Sequence, residues 1–145
     1  MPLPDPSVGL VIRYEYLWHR RATDGADTAD KERPACVAFT FDDAEHGRSV
    51  MLLPISHSAP TGDEVGIEIP QAVRAHLGLD HDRSWVIVSE CNIDSWPSPD
   101  LRQIPGQPGK FAYGHIPPRL FKIIRDAFVN EYRAKHVRQV TRSQE

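Results

Sequence analysis

Cysteine is scarce in this chain: only Cys36 and Cys91 occur among 145 residues. A disulfide scaffold of this length carries more, so reduced thiols and a cytoplasmic location are expected. Long apolar runs are missing too. None approaches the roughly 20 residues that span a bilayer, and Met1-Pro2-Leu3-Pro4-Asp5-Pro6 has no basic segment followed by an apolar one, so no membrane association and no secretory signal are expected. Net charge is low, at −3, while 40% of the residues are hydrophobic, which excludes wholesale disorder. Phosphate-binding loops of the GxGxxG or GxxxxGKS/T kind and the G-x-S-x-G elbow are absent. Seven histidines are present, but no pair stands three or four apart on a predicted helix, so a structural metal site is not expected. Cys36 and Cys91 lie in or beside apolar strands, the setting of inert core cysteines rather than of nucleophiles.

What is present points to one domain of short elements, residues 1–145, with 1–7 and 134–145 as loose ends. Thirteen prolines and nine glycines break the chain often. β-branched and aromatic residues predict strands at 8–18, 34–41, 49–55, 65–69 and 85–88, the third with an apolar run that suggests burial on both faces. Residues 19–32 form a long polar loop, and 92–109, rich in proline, read as an ordered loop or edge strand. Pro70 and Gly78 bracket a short helix. From Pro118 the spacing of Leu120, Ile123, Ile124, Ala127, Phe128 and Tyr132 predicts an amphipathic helix of about four turns. Short connections favour antiparallel pairing, hence a mainly β fold with helices, built as a small barrel or a strongly curved sheet.

Charge is unevenly placed. Residues 1–118 carry ten Lys and Arg against seventeen Asp and Glu; residues 119–145 carry seven against three. A basic end of this kind either attracts nucleic acid or an acidic protein, or is simply a solvated helix face.

Two segments can carry chemistry. Lys31-Glu32-Arg33-Pro34 enters the second strand, and Pro54-Ile55-Ser56-His57-Ser58 leaves the third. Antiparallel neighbours bring such ends to one rim, where a guanidinium fork and a hydroxyl suit a phosphate. The structural alternative is that Arg33 pairs with a loop aspartate and Ser56 only turns the chain.

The order Gly9-Leu10-Val11-Ile12, then Lys31-Glu32-Arg33-Pro34-Ala35-Cys36-Val37, then Met51-Leu52-Leu53-Pro54-Ile55-Ser56, resembles the MazF/PemK (Kid) toxins of toxin–antitoxin modules. Ser84-Trp85-Val86-Ile87-Val88 and Tyr113-Gly114-His115-Ile116-Pro117 extend the likeness over about residues 9 to 130. The resemblance implies an SH3-like barrel of the CcdB/Kid/MazF kind with a C-terminal helix, a homodimer, and a cognate antitoxin as partner. It also implies an endoribonuclease that cuts single-stranded RNA at short preferred sequences without metal or other cofactor. Arg33 matches the family's catalytic arginine and Ser56 its catalytic threonine. Where members carry a loop glutamate this chain has Thr28, and the turn after the later strand reads Glu90-Cys91-Asn92-Ile93-Asp94, without the family's basic residue. The acid and base therefore stay open, with His57 and Asp94 as candidates. Lys31 is expected to touch RNA, and Trp96 either to stack a base or to cap the core. Two readings of other classes stand beside this one. The missing glutamate and the acidic body suit a non-catalytic binding module on the same barrel; a gyrase-poison-type toxin would act through the C-terminal end.

Overall fold

The computed structural model describes residues 3–20, 32–45, 47–80 and 82–142. Among them, the elements run β1 (Leu10–Tyr14), β2 (Arg33–Asp43), β3 (Gly47–Ser56), β4 (Gly66–Glu68), α1 (Gln71–Leu77), β5 (Trp85–Ile87), β6 (Glu90–Ser95), β7 (Ala112–His115), α2 (Pro118–Arg133) and β8 (Arg138–Thr141). One sheet follows the order β4-β5-β3-β2-β1-β7, with β6 joined to β3 and β8 to β6. Every pairing is antiparallel except β6 with β8. The expected mainly β architecture with helices is thus observed. No helix of the described residues is long and apolar enough to cross a membrane.

Side chains alternate across a strand, so each central strand feeds two cores. Val11, Cys36, Ala38, Leu53 and Ile55 join Phe121, Ile124 and Phe128 of α2 and Leu77 of α1 in one cluster. Leu10, Ile12, Tyr14, Ala35, Val37, Val50 and Leu52 join Tyr16 and Leu101 in the other. The continuous apolar run of β3 is explained by this: it is buried on both faces, as expected. Each fully buried large aliphatic side chain contributes about 1.5–3 kcal/mol.

The closing helix forms where predicted, but its buried stripe is rotated. Phe121, Ile124 and Phe128 are buried, at helical spacing i, i+3, i+7, whereas Ile123 and Tyr132 of the expected stripe are 55% and 49% exposed. The ring of Phe128 packs 6.0 Å from that of Phe39. Helix α1 ends as its sequence requires. Gly78 takes the left-handed conformation at φ 74°, and its N–H and that of Leu79 return to Ala75 and Arg74. A Cβ there meets no neighbouring atom, so Gly78→Ala is expected to lose only the backbone term, about 1 kcal/mol in urea unfolding.

Four strands differ from expectation, among them β7, which lies where no strand was expected. β1 ends at Tyr14, and residues 15–18 continue as irregular chain. β6 lies partly within the stretch read as an ordered loop or edge strand, and its residues 92–95 follow the second reading. The expected loose end contains β8, whose Val140 is buried and which pairs with β6 from Glu90↔Arg138 to Ile93↔Thr141. Arg142 follows with its side chain 7% exposed; it donates to the carbonyl of Glu15 and to Asp100, each at 2.8 Å.

Candidate active site

The site begins with strand register. Arg33 pairs with Tyr14 of β1. On the other side Ala35 pairs with Pro54, so continuing the register by two residues sets Arg33 across from Ser56. Residues directly opposite share a face of the sheet. The two segments singled out in the sequence therefore end together at one edge, on the face of the Tyr14 and Tyr16 core.

Arg33 is half-buried and lies over an aromatic ring. Its guanidinium carbon sits 5.0 Å from the Trp18 ring centre, and that of Arg20 sits 5.3 Å from the same ring. Tyr16 supports the indole edge-on at 5.3 Å. Such contacts fix the guanidinium plane and add about 0.5–2 kcal/mol each. Ser56 is half-buried as well. Its hydroxyl donates to the Ser58 carbonyl at 3.1 Å and accepts from the Ser58 amide at 3.0 Å, closing a local turn.

The remaining candidates do not gather at this point. His57, next in the chain, turns to the opposite face. There it lines a cleft of about 240 Å³ with Arg13 and Tyr113, while Arg33 and Ser56 do not. Its Nε2 is 3.1 Å from Asp80 and its Nδ1 3.4 Å from the Arg83 carbonyl. Asp94 sits opposite Val50, further along β3. It is 2% exposed. The Tyr14 and Ser98 hydroxyls donate to its Oδ2, both at 2.6 Å, and the Ser95 amide to its Oδ1 at 2.8 Å. Asp94 is thus a sealed acceptor with three internal donors, which corrects its expectation as an acid or base in contact with substrate. Trp96 packs against the second core, donating from Nε1 to the Pro4 carbonyl. Its backbone N–H bonds the carbonyl of Arg48, near the end of β3 remote from Ser56. Core capping, not stacking beside Arg33, describes its place. Lys31 lies outside the described residues, as does Thr28.

Both cysteines are buried and free, and burial pushes each thiol up to about 12. Neither is a thiolate nucleophile near neutrality. His57, Asp80 and Asp82 bring ligand-type atoms within 4.8 Å of one another on an exposed edge, an arrangement the His57–Asp80 contact already accounts for.

Sequence reasoning missed Glu90, Tyr16 and Trp18. Glu90, Asn92 and Asp94 occupy alternate positions of β6; the first two bond the segment that follows β1, and Asp94 bonds Tyr14 at the end of β1. Glu90 accepts from the Tyr16 hydroxyl and the His19 amide, each at 3.0 Å, and Asn92 bonds both the N–H and the C=O of Leu17. The signal was a period of two in polar residues beside apolar Val86, Ile87 and Val88, which marks a strand whose polar side is spoken for. Burial raises the Glu90 carboxyl above the ordinary range, an effect that the bonds from His19 and Tyr16 partly oppose.

Comparison of the chain with protein-family models, with curated proteins and with solved structures finds no match.

Proposed function

We propose that the chain is a MazF/PemK-like toxin, an endoribonuclease that cuts single-stranded RNA without metal and is held inactive by a cognate antitoxin. The same reading takes the curved sheet as an SH3-like barrel that works as a homodimer. One observation carries it. Arg33 and Ser56, distant in sequence, each lie two residues beyond the Ala35–Pro54 pair that ends the β2–β3 ladder, with the Arg33 guanidinium over Trp18.

The chemistry follows from the groups. When a ribose 2′-oxygen attacks the adjacent phosphorus, negative charge grows on the phosphoryl oxygens. A guanidinium whose plane is already fixed stabilises that charge without reorganising. The Ser56 hydroxyl adds a donor once it leaves the Ser58 carbonyl. The test is incubation of unstructured RNA with the protein in EDTA. Cleavage to 2′,3′-cyclic phosphate ends is expected, with Ser56→Ala lowering the rate about 100-fold and a 2′-deoxy substitution at the cleaved nucleotide abolishing it. Intact RNA after incubation with wild-type protein rejects the reading.

A second reading, the non-catalytic binding module, is favoured by the closed Ser56 turn and by the acidic balance of residues 1–118, since nucleic-acid affinity comes largely from phosphate neutralisation. It predicts no cleavage and no growth arrest on expression.

A further inference from the structure

A polar cleft of about 230 Å³ is lined by Arg20, whose guanidinium lies over Trp18, and by Glu90, which remains only 8% exposed; Arg33 and Ser56 do not line it. Three parts of the chain bring charged groups to face this carboxyl. His19 and Arg20, above Tyr16, come from the segment after β1; Asp63 and Glu64 come from the β3–β4 connection; His136 and Arg138 come from the chain beyond α2. Arg138 is already paired with Asp63 at 2.7 Å.

Two features single out Glu90. Both of its hydrogen bonds fall on Oε2, from the Tyr16 hydroxyl and the His19 amide, and no hydrogen bond reaches Oε1 from the described residues. A glutamine would accept the same two bonds without placing an ionisable group out of water. Anchoring alone therefore does not call for a carboxylic acid here. The second feature is position. Tyr16, which holds Oε2, packs on Trp18, and Trp18 carries the guanidinium groups of both Arg20 and Arg33. One aromatic wall thus joins the anchored carboxyl to the phosphate-binding candidate.

We infer that Glu90 is the general base of RNA cleavage, acting in this cleft on a phosphodiester held along the Arg20–Trp18–Arg33 wall. The inference rests on the ribonuclease reading and supplies the proton acceptor which that reading lacks. In the step, the O2′–P bond forms and the P–O5′ bond breaks. The 2′-hydroxyl proton passes to the Glu90 carboxylate, and the departing 5′-oxygen takes a proton from water. A 2′,3′-cyclic phosphate and a 5′-hydroxyl result, and Glu90 returns its proton to solvent.

The pH dependence has a definite sign. Burial raises the Glu90 carboxyl, with Glu64 adding to the effect and His19, Tyr16 and Arg20 opposing it. The basic form is therefore lost on acidification at a higher pH than for an exposed glutamate, and the rate falls there. For stability the sign is opposite. A carboxyl raised on folding favours the fold fully below its unfolded pKa, and that contribution is lost as pH rises through the folded value. Glu90→Gln removes this loss, so the variant is expected to melt no lower than wild type at neutral pH.

The experiment is single-turnover cleavage of an unstructured RNA oligonucleotide in EDTA from acid to neutral pH, beside binding of its uncleavable 2′-deoxy analogue. Glu90→Gln is expected to lower cleavage about 100-fold or more, to remove the acid limb, and to bind the analogue like wild type. Tyr16→Phe, which deletes a donor to the ionised carboxylate, is expected to move the limb to higher pH. If Glu90→Gln cuts at the wild-type rate, or keeps the acid limb, while Arg33→Ala is inactive, Glu90 is not the base and the ribonuclease reading stands. Wild-type protein that cuts no RNA overturns both. Should Glu90→Gln fail to fold, an acid limb unmoved by Tyr16→Phe overturns the inference.

Discussion

Arg33→Ala is expected to slow metal-free RNA cleavage about 100- to 1,000-fold and to leave the thermal midpoint close to that of wild type. The expectation combines two properties of one side chain. Arg33 stands at the end of β2, two residues beyond the Ala35–Pro54 pair as Ser56 is, where the ribonuclease reading places the phosphodiester. Its guanidinium also lies over the Trp18 ring. On the proposed reading, removing it deletes a donor aimed at developing charge, and that loss is larger in the transition state than in the bound ground state. The fold does not lean on the guanidinium to the same degree, because the core beneath is made by Ala35, Val37 and their neighbours. Arg33→Lys is expected to recover little activity. Lysine keeps the charge but has neither the flat fork nor the face that stacks on an indole. Trp18→Leu, which keeps the charge and the fork but removes the platform, should fall between wild type and Arg33→Ala. Single-turnover rates of the three variants check this; equal rates for Arg33→Ala and wild type would strip the residue of its role.

Asp94→Ala acts in the opposite domain, on stability rather than chemistry, and is expected to remove about 3 kcal/mol of unfolding free energy. The Tyr14 hydroxyl and the Ser98 hydroxyl both donate to one carboxylate oxygen, and the Ser95 amide to the other. Tyr14 is fully buried, so its hydroxyl has no water to turn to. Alanine leaves it unsatisfied, and an unmade buried hydrogen bond is destabilising by more than a made one stabilises. Asp94→Asn should lose less, since its amide oxygen still accepts from Tyr14. Urea unfolding separates the two. A midpoint unchanged in Asp94→Ala would mean the carboxylate has no structural share.

The part of this arrangement legible in the sequence is the part that local chemistry dictates. Pro70 and Gly78 punctuate a helix, the Leu120–Tyr132 spacing makes another, and the entry to β2 and the exit from β3 follow from breaker residues beside apolar runs. With both ends known and antiparallel pairing assumed, the approach of the two segments at the Ala35–Pro54 end of the β2–β3 ladder could be anticipated. The missing pieces depend on long-range pairing. β6 reads as an ordered loop or at most an edge strand because Glu90, Asn92 and Asp94 look like solvent-facing residues, yet their partners, Tyr14, Tyr16 and Leu17, lie far away in sequence and turn them inward. β8 has a single apolar anchor, Val140, and becomes a strand because β6 offers it an edge. Phe121 replaced Ile123 in the core since the docking angle of a helix is set by the sheet beneath it and not by its own periodicity. His57 was placed beside Ser56 by adjacency, whereas the pleat sends neighbours in a strand to opposite sides.

That last point reaches beyond the site itself. Arg33 and Ser56 serve one surface while Arg13, which pairs with Pro34, and His57, which follows Ser56, serve the reverse surface of the same sheet. Substitutions that retune one surface leave the side chains of the other in place, so a duplicated gene could alter one recess step by step without first surrendering the other. A single-residue insertion in β2, by contrast, would exchange the two sets at once.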